Sequence, residues 1–293
     1  MIVDSRNGLP TDGKIKMNSN ILNEKYSVLM SVYEKDDPSF LTMAIESMLN
    51  QTVPPEQFVI VEDGIVGVEI ENIISKYEKK TSLFSIVRLE KNSGLGNALN
   101  HGLKVCRNDL VARMDADDIS LPERCEKQLM AFAKNPNLKI LGTQMNEFVG
   151  DTSNIVSTRL VPISFEEIKK FARRKSPFNH PTVMYKKETV EEIGGYPILK
   201  RKEDLGLFIR AVNKACYSEN LEESLLFYRT SAENQKRRKT WVNCKEYIEV
   251  MYESFKKNQI GLVDMLYVVF GQLMMFIAPS CIINKLNKKF LRT

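Results

Sequence analysis

Four short apolar runs, each breaking off into a polar or acidic cluster before a helix-spaced segment, constrain this chain more than any other feature. The first, Tyr26 to Tyr33, stops at Glu34-Lys35-Asp36-Asp37-Pro38. Pro38 suits the first turn of a helix, and Phe40, Leu41, Ala44, Ile45, Met48 and Leu49 follow at helical spacing. The second, Phe58 to Val61, ends in Glu62-Asp63-Gly64, after which Ile70, Ile73, Ile74 and Tyr77 mark a helix. Leu83 to Leu89 and Leu110 to Met114 complete the set, with a helix over Gly94 to Val105 between them. Apolar strands alternating with helices predict an α/β fold with a mixed, mainly parallel sheet flanked by helices. Ligands bind such sheets beyond the carboxyl ends of the strands. Residues 34–37, 62–64, 92–94 and 115–118 all lie there and are expected to converge on one crevice.

The rhythm loosens afterwards. A helix over Leu121 to Ala133 and a strand over Leu138 to Phe148 are followed by a strand at Val156 to Val161, a helix at Phe165 to Arg174 and a strand at Thr182 to Tyr185. Glu203-Asp204 opens a helix with Leu205, Phe208, Ile209 and Val212 on its apolar side, and Leu225 to Tyr228 reads as a last strand. The 293 residues divide into a polar lead-in without periodicity (1–25), the α/β domain (26–231) and a helical, basic and apolar extension (232–293).

The formal charge of +5 is unevenly placed, since the stretch from Ala232 to Thr293 holds eleven Lys/Arg against five Asp/Glu. That excess sits beside the most apolar segment, Met265 to Ile283, which favours a membrane surface over nucleic acid as the partner. Its nineteen residues, nearly all apolar, are enough to reach across a bilayer, but Gln272 and Pro279 weigh against a span. Beyond Pro279, Ile282, Ile283, Leu286 and Phe290 share one helical face while Lys285, Lys288, Lys289 and Arg292 occupy the rest. Monotopic, peripheral association is therefore expected, with a true span or a packed core helix as alternatives. Five scattered cysteines without a Cys-x-x-Cys pair predict a reducing compartment, and no secretory signal is read in the lead-in.

Chemistry is concentrated in Asp115-Ala116-Asp117-Asp118. Carboxylates at alternate positions of an extended segment point to one side, and such a group suits a hard divalent cation. The competing reading makes Asp118 or Ser120 the N-cap of the following helix. Arg113 would balance the acids or touch a diphosphate. Glu62-Asp63-Gly64 offers carboxylates to a base or ribose, and Asn92-Ser93-Gly94-Leu95-Gly96 leads its amides into a helix start. Glu203 and Asp204 form a second acidic centre at a helix start, and His180 precedes a strand in Phe178-Asn179-His180-Pro181.

Taken in order, Ser31-Val32-Tyr33-Glu34, Val61-Glu62-Asp63-Gly64, Asn92 to Asn100, Arg113-Met114-Asp115-Ala116-Asp117-Asp118 and Lys202-Glu203-Asp204-Leu205 closely resemble family 2 glycosyltransferases of the GT-A fold. Within that family the chain is most similar to bacterial amylovoran and O-antigen β-1,3-galactosyl- or glucosyltransferases. The resemblance implies that Tyr33, Glu34 and Asp63 line a nucleoside pocket, with Asn92 and Arg113 nearby; His180 lies outside the matched motifs and is read either as a substrate contact or as a packed, hydrogen-bonded residue. It implies that Asp117, with Asp115, holds Mn²⁺ or Mg²⁺ and that Asp115 also meets the ribose or diphosphate. Asp204, paired with Glu203, is the implied base for inverting transfer of one sugar. The implied donor is a UDP-sugar, and the acceptor a polyprenyl-diphosphate-linked saccharide at the cytoplasmic face of a bacterial inner membrane. Two departures stand out. Ile65 follows Gly64 where the family has serine, and Gln235 to Trp241 lacks the Gln-x-x-Arg-Trp spacing of processive members. A sugar nucleotidyltransferase and a non-catalytic nucleotide-sugar-binding scaffold remain the alternatives.

Overall fold

A computed structural model of the chain describes residues 24–231 and 239–277. The first half follows the expected alternation: β1 (Tyr26–Val32), α1 (Pro38–Leu49), β2 (Gln57–Glu62), α2 (Val68–Lys80), β3 (Phe84–Arg88), α3 (Leu95–Val105) and β4 (Leu110–Met114). Asp37 caps α1 through hydrogen bonds from the Ser39 and Phe40 amides, and Pro38 takes the first helical position, where its missing N–H costs nothing. The second half comprises β5 (Ile119–Ser120), α4 (Arg124–Lys134), β6 (Ile140–Phe148), β7 (Ile155–Arg159), α5 (Phe165–Ala172), β8 (Met184–Lys186) and α6 (Lys187–Glu192). It ends with α7 (Glu203–Asn213), β9 (Ser218–Arg229), α8 (Trp241–Lys256) and α9 (Leu262–Ile277).

All the strands join one sheet in the order β3-β2-β1-β4-β8-β6-β9-β5, with β7 on β6. The β3-β2-β1-β4 half is parallel, whereas β8 runs antiparallel to both β4 and β6. β9 lies parallel to β6 along its length, and its later residues pair antiparallel with β5, Phe227 against Ile119. That last pairing carries the end of β9 back to the acidic cluster after β4.

Two cores lie on the two faces of the sheet, which is why the first strands are apolar at most positions rather than at alternate ones. Val28, Met30 and Val32 of β1 join α1 and α2 in one core, and Leu29 joins α3, α5 and α7 in the other. Met251 of α8, Ile260, and Met265 and Val268 of α9 belong to the second core, so the C-terminal helices are packed onto the α/β unit. The rest of α9 is largely uncovered, with Val263, Leu266, Phe270, Leu273 and Ile277 exposed. Among the described residues no helix is long and apolar enough to cross a membrane. The basic amphipathic segment expected beyond Pro279 lies outside the described residues, as do most of the lead-in and Gln235.

Local differences have local causes. α4 starts at Arg124, with Glu123 at its cap position, because Ile119 and Ser120 are drawn into extended pairing with β9. Neither Asp118 nor Ser120 is therefore an N-cap. β9 is twelve residues long where only Leu225 to Tyr228 reads as a strand, and α6 was not expected at all.

Candidate active site

β4 is buried at all five positions, and the chain leaves it straight into the acidic cluster. One ligand oxygen from each of Asp115, Asp117 and Asp118 lies within 4.8 Å of the others. Arg113, 2% exposed, pairs with Asp115, while its Nε and Nη1 have no hydrogen-bond partner. Burial works against the Arg113 charge, yet Asp115 beside it outweighs burial and holds the guanidinium ionised. Burial, then the negative charge of Asp115, pushes the Asp117 carboxyl up to about 6. The same effects, with Asp117 added, raise Asp118 well above the carboxylate range. Asp118 Oδ1 accepts the Arg229 N–H at 2.9 Å, but its Oδ2 is buried without a partner. Burial and mutual repulsion thus oppose ionising all three acids together, and their all-oxygen donor set fits a divalent cation.

Arg229, at the end of β9, closes this corner. Its Nε donates to the Asp117 carbonyl at 2.9 Å, and its guanidinium stacks on Phe40 at 3.7 Å and Phe148 at 4.6 Å. Behind the strand, the wholly buried Arg124 donates to the Arg113 carbonyl at 2.7 Å.

At the end of β2 the two acids part company. Glu62 sits 3.4 Å from Arg88, beside Glu71 and Glu78, and burial pushes its carboxyl up to about 7. Asp63 instead accepts three hydrogen bonds, from the Ser93 amide at 2.7 Å, the Ser93 hydroxyl at 3.0 Å and the Gly94 amide at 2.9 Å. It thus clamps the 92–94 loop to the sheet. Gly64 makes that approach possible: its φ is +88°, and a Cβ there would lie 2.5 Å from the Asn92 nitrogen. Tyr33 and Glu34 follow β1 on the adjacent strand, in a turn closed by the Tyr33 amide on Asp36 Oδ2 at 2.9 Å. Tyr33 is half-buried, and Glu34 and Asn92 are exposed.

A cavity of about 570 Å³ opens beside the acidic cluster. Arg113 and Asp115 line it together with Glu203 and Asp204, which start α7. Tyr33, Glu34, Asp63, Asn92 and Asp117 are not among its lining residues. They lie instead after the carboxyl ends of the parallel strands β1 to β4, and Leu95, which opens α3 directly after the 92–94 loop, does line the cavity. Burial, then Asp204, pushes the Glu203 carboxyl up to about 7. His180 borders the same cavity, buried, with Nε2 3.1 Å from the Tyr196 hydroxyl. Burial, then Arg113, holds its imidazole well below the usual range, so the ring is neutral. Arg229 and Arg124 had no sequence signal as site residues, because each meets the strand end after β4 only through tertiary pairing.

Residues 27–194 match the family model described as glycosyl transferase family 2. This chain belongs to that family. A similar protein is the UDP-Gal:alpha-D-GlcNAc-diphosphoundecaprenol beta-1,3-galactosyltransferase of Escherichia coli, 34% identical over 92% of this chain and 97% of its own. The amylovoran biosynthesis glycosyltransferase AmsE of Erwinia amylovora is 34% identical over 81% and 88% respectively. In fold the glycosyltransferase resembles Staphylococcus aureus TarS, solved with UDP-GlcNAc, at a TM-score of 0.64 and 18% identity over 91% of this chain and 73% of that one. Membership of the family sets aside the nucleotidyltransferase and scaffold alternatives.

Proposed function

We propose that this glycosyltransferase moves one hexose, with inversion, from UDP-Gal or UDP-Glc to a lipid-diphosphate-linked saccharide during surface polysaccharide synthesis. The setting is the cytoplasmic face of a bacterial inner membrane. One observation carries the reading: a single cavity is lined at one place by Arg113 and Asp115 and at another by Glu203 and Asp204, two acidic centres from distant parts of the chain. The similar E. coli enzyme, named for a UDP-Gal donor and a diphosphoundecaprenol acceptor, supports the choice of substrates.

Asp117 and Asp115 would hold Mn²⁺ or Mg²⁺, whose chemistry is to neutralise charge on a leaving diphosphate. Tyr33, Glu34 and Asn92 surround the nucleoside. Asp63 holds the loop beside it and has one of its four acceptor positions left for the base. Arg113 and Asp115 lie at the ribose and diphosphate, and neutral His180 forms part of the sugar wall. Asp204 takes the proton of the acceptor hydroxyl as that oxygen bonds to the sugar C1 and the C1–O bond to UDP breaks. Aligning the two substrates in one cavity and taking the proton in place supply most of the rate.

The test is transfer from UDP-sugars to a synthetic lipid-diphosphate GlcNAc acceptor with Mn²⁺. Asp204→Asn should lower kcat by about 10²-fold or more. Mn²⁺ should raise the melting temperature of the wild type and not that of Asp117→Asn. Undiminished transfer by Asp204→Asn, or an equal Mn²⁺ response in Asp117→Asn, would remove that residue from its role.

A further inference from the structure

The cavity wall carries basic residues as well as the two acidic centres. Arg174, Lys175 and Arg201 line it, and one side of α9 contributes Tyr267, Gly271 and Met275. Asp264 anchors Arg174 at 2.6 Å, and the Arg174 guanidinium lies 4.7 Å from the Tyr267 ring, so this cation is held in place by α9 itself. Lys175 is half-buried against the Phe171 ring, and neither Lys175 nor Arg201 has an ion-pair partner among the described residues. Lys175, a cation partly withdrawn from water without a carboxylate, is stabilised by an anion brought to it, and the exposed Arg201 adds a second positive charge to the cavity wall.

Gly271 lies within α9, where glycine is unfavourable, yet a Cβ there would meet nothing within 4 Å. No packing contact around a Cβ requires it, and a side chain there would extend into open space beside the cavity. On the far side of α9, Val263, Leu266, Phe270, Leu273 and Ile277 recur at helical spacing and are exposed. A cation-lined cavity wall and an exposed apolar stripe therefore share one helix, with Gly271 on the side that lines the cavity.

We propose that the cationic wall of the cavity binds the diphosphate of the acceptor, and that Gly271 leaves the opening through which its lipid chain reaches the apolar stripe of α9. The assignment rests on the glycosyl-transfer reading above. It also agrees with the geometry of such an acceptor, whose reacting hydroxyl lies across one sugar ring from its diphosphate.

The experiment is calorimetric titration of the full chain with dodecyl diphosphate, with saturating UDP and Mn²⁺ present to fill the donor site. The wild type should bind, and Lys175→Gln and Arg201→Gln should each weaken binding about ten-fold while leaving UDP affinity unchanged. Gly271→Leu should bind inorganic pyrophosphate like the wild type but dodecyl diphosphate about ten-fold more weakly. Unchanged affinity in both charge variants, displacement of dodecyl diphosphate by UDP, or no binding by the wild type would overturn the assignment. Intact dodecyl diphosphate binding without sugar transfer would count against the proposed function alone.

Discussion

Replacing Asp63 with asparagine tests whether this carboxylate is the clamp that shapes the nucleotide side of the site. The carboxylate is 4% exposed and accepts from two backbone amides and one hydroxyl at 2.7–3.0 Å. Asparagine keeps one acceptor oxygen and turns an NH₂ group toward the remaining amide. Losing one bond to a charged acceptor costs about 1.5–3 kcal/mol, and making the others neutral roughly halves their strength. The sum is about 2–4 kcal/mol, or a fall of roughly 4–12 °C in melting temperature for a chain of this size. Ser93→Ala, which removes only the hydroxyl bond, should cost about 1 kcal/mol. Thermal melts followed by circular dichroism give both values, and UDP titration should show weaker nucleotide binding in Asp63→Asn because the 92–94 loop is no longer held. A melting temperature of Asp63→Asn within a degree of the wild type, or a Ser93→Ala loss as large as that of Asp63→Asn, would refute the clamp.

Glu203→Gln should stabilise the protein in a pH-dependent way. The folded-state carboxyl is raised from 4.5 to about 7, so ionisation is penalised in the fold; the penalty is absent below about 4.5, grows as pH rises between these values and is complete above 7. Urea unfolding should therefore show the variant more stable than the wild type by on the order of 2–3 kcal/mol at pH 8, with a much smaller difference at pH 5. Arg229→Met removes the guanidinium stacked on Phe40 and Phe148 and its bond to the Asp117 carbonyl. It should cost about 2–3 kcal/mol in the same assay without added metal.

Much of the fold can be read locally. The runs Tyr26 to Val32 and Leu110 to Met114 are apolar at nearly every position because both faces of the sheet are covered, and the helices between them keep a 3.6-residue period. Such signals survive in a single sequence because each comes from residues close together in the chain. The two-residue β5 and most of β9 leave no such trace. Ile119 and Ser120 are strand because Phe227 and Leu226 lie opposite them, a pairing across more than a hundred positions. The N-cap reading of Asp118 failed for the same reason, since the N–H on its carboxylate belongs to Arg229.

The acids were equally legible as types and illegible as an arrangement. Alternation placed Asp115 and Asp117 together at a strand end, and the Glu203-Asp204 pair announced itself by its place at a helix start. That Asp115 and the Glu203-Asp204 pair face one cavity depends on how α7 packs against the sheet. Glu62 and Asp63 are likewise adjacent acids at one strand end in the sequence, and only the fold shows that Glu62 pairs with Arg88 while Asp63 holds the loop before α3. By itself, then, the sequence determined the strand-helix order, the acidic strand ends and the family to which they belong, because periodicity and composition are local quantities. Only the tertiary structure decided which charges meet, which are buried and which of them share a cavity. Those outcomes depend on desolvation and on distances between segments that the chain brings together only when it folds.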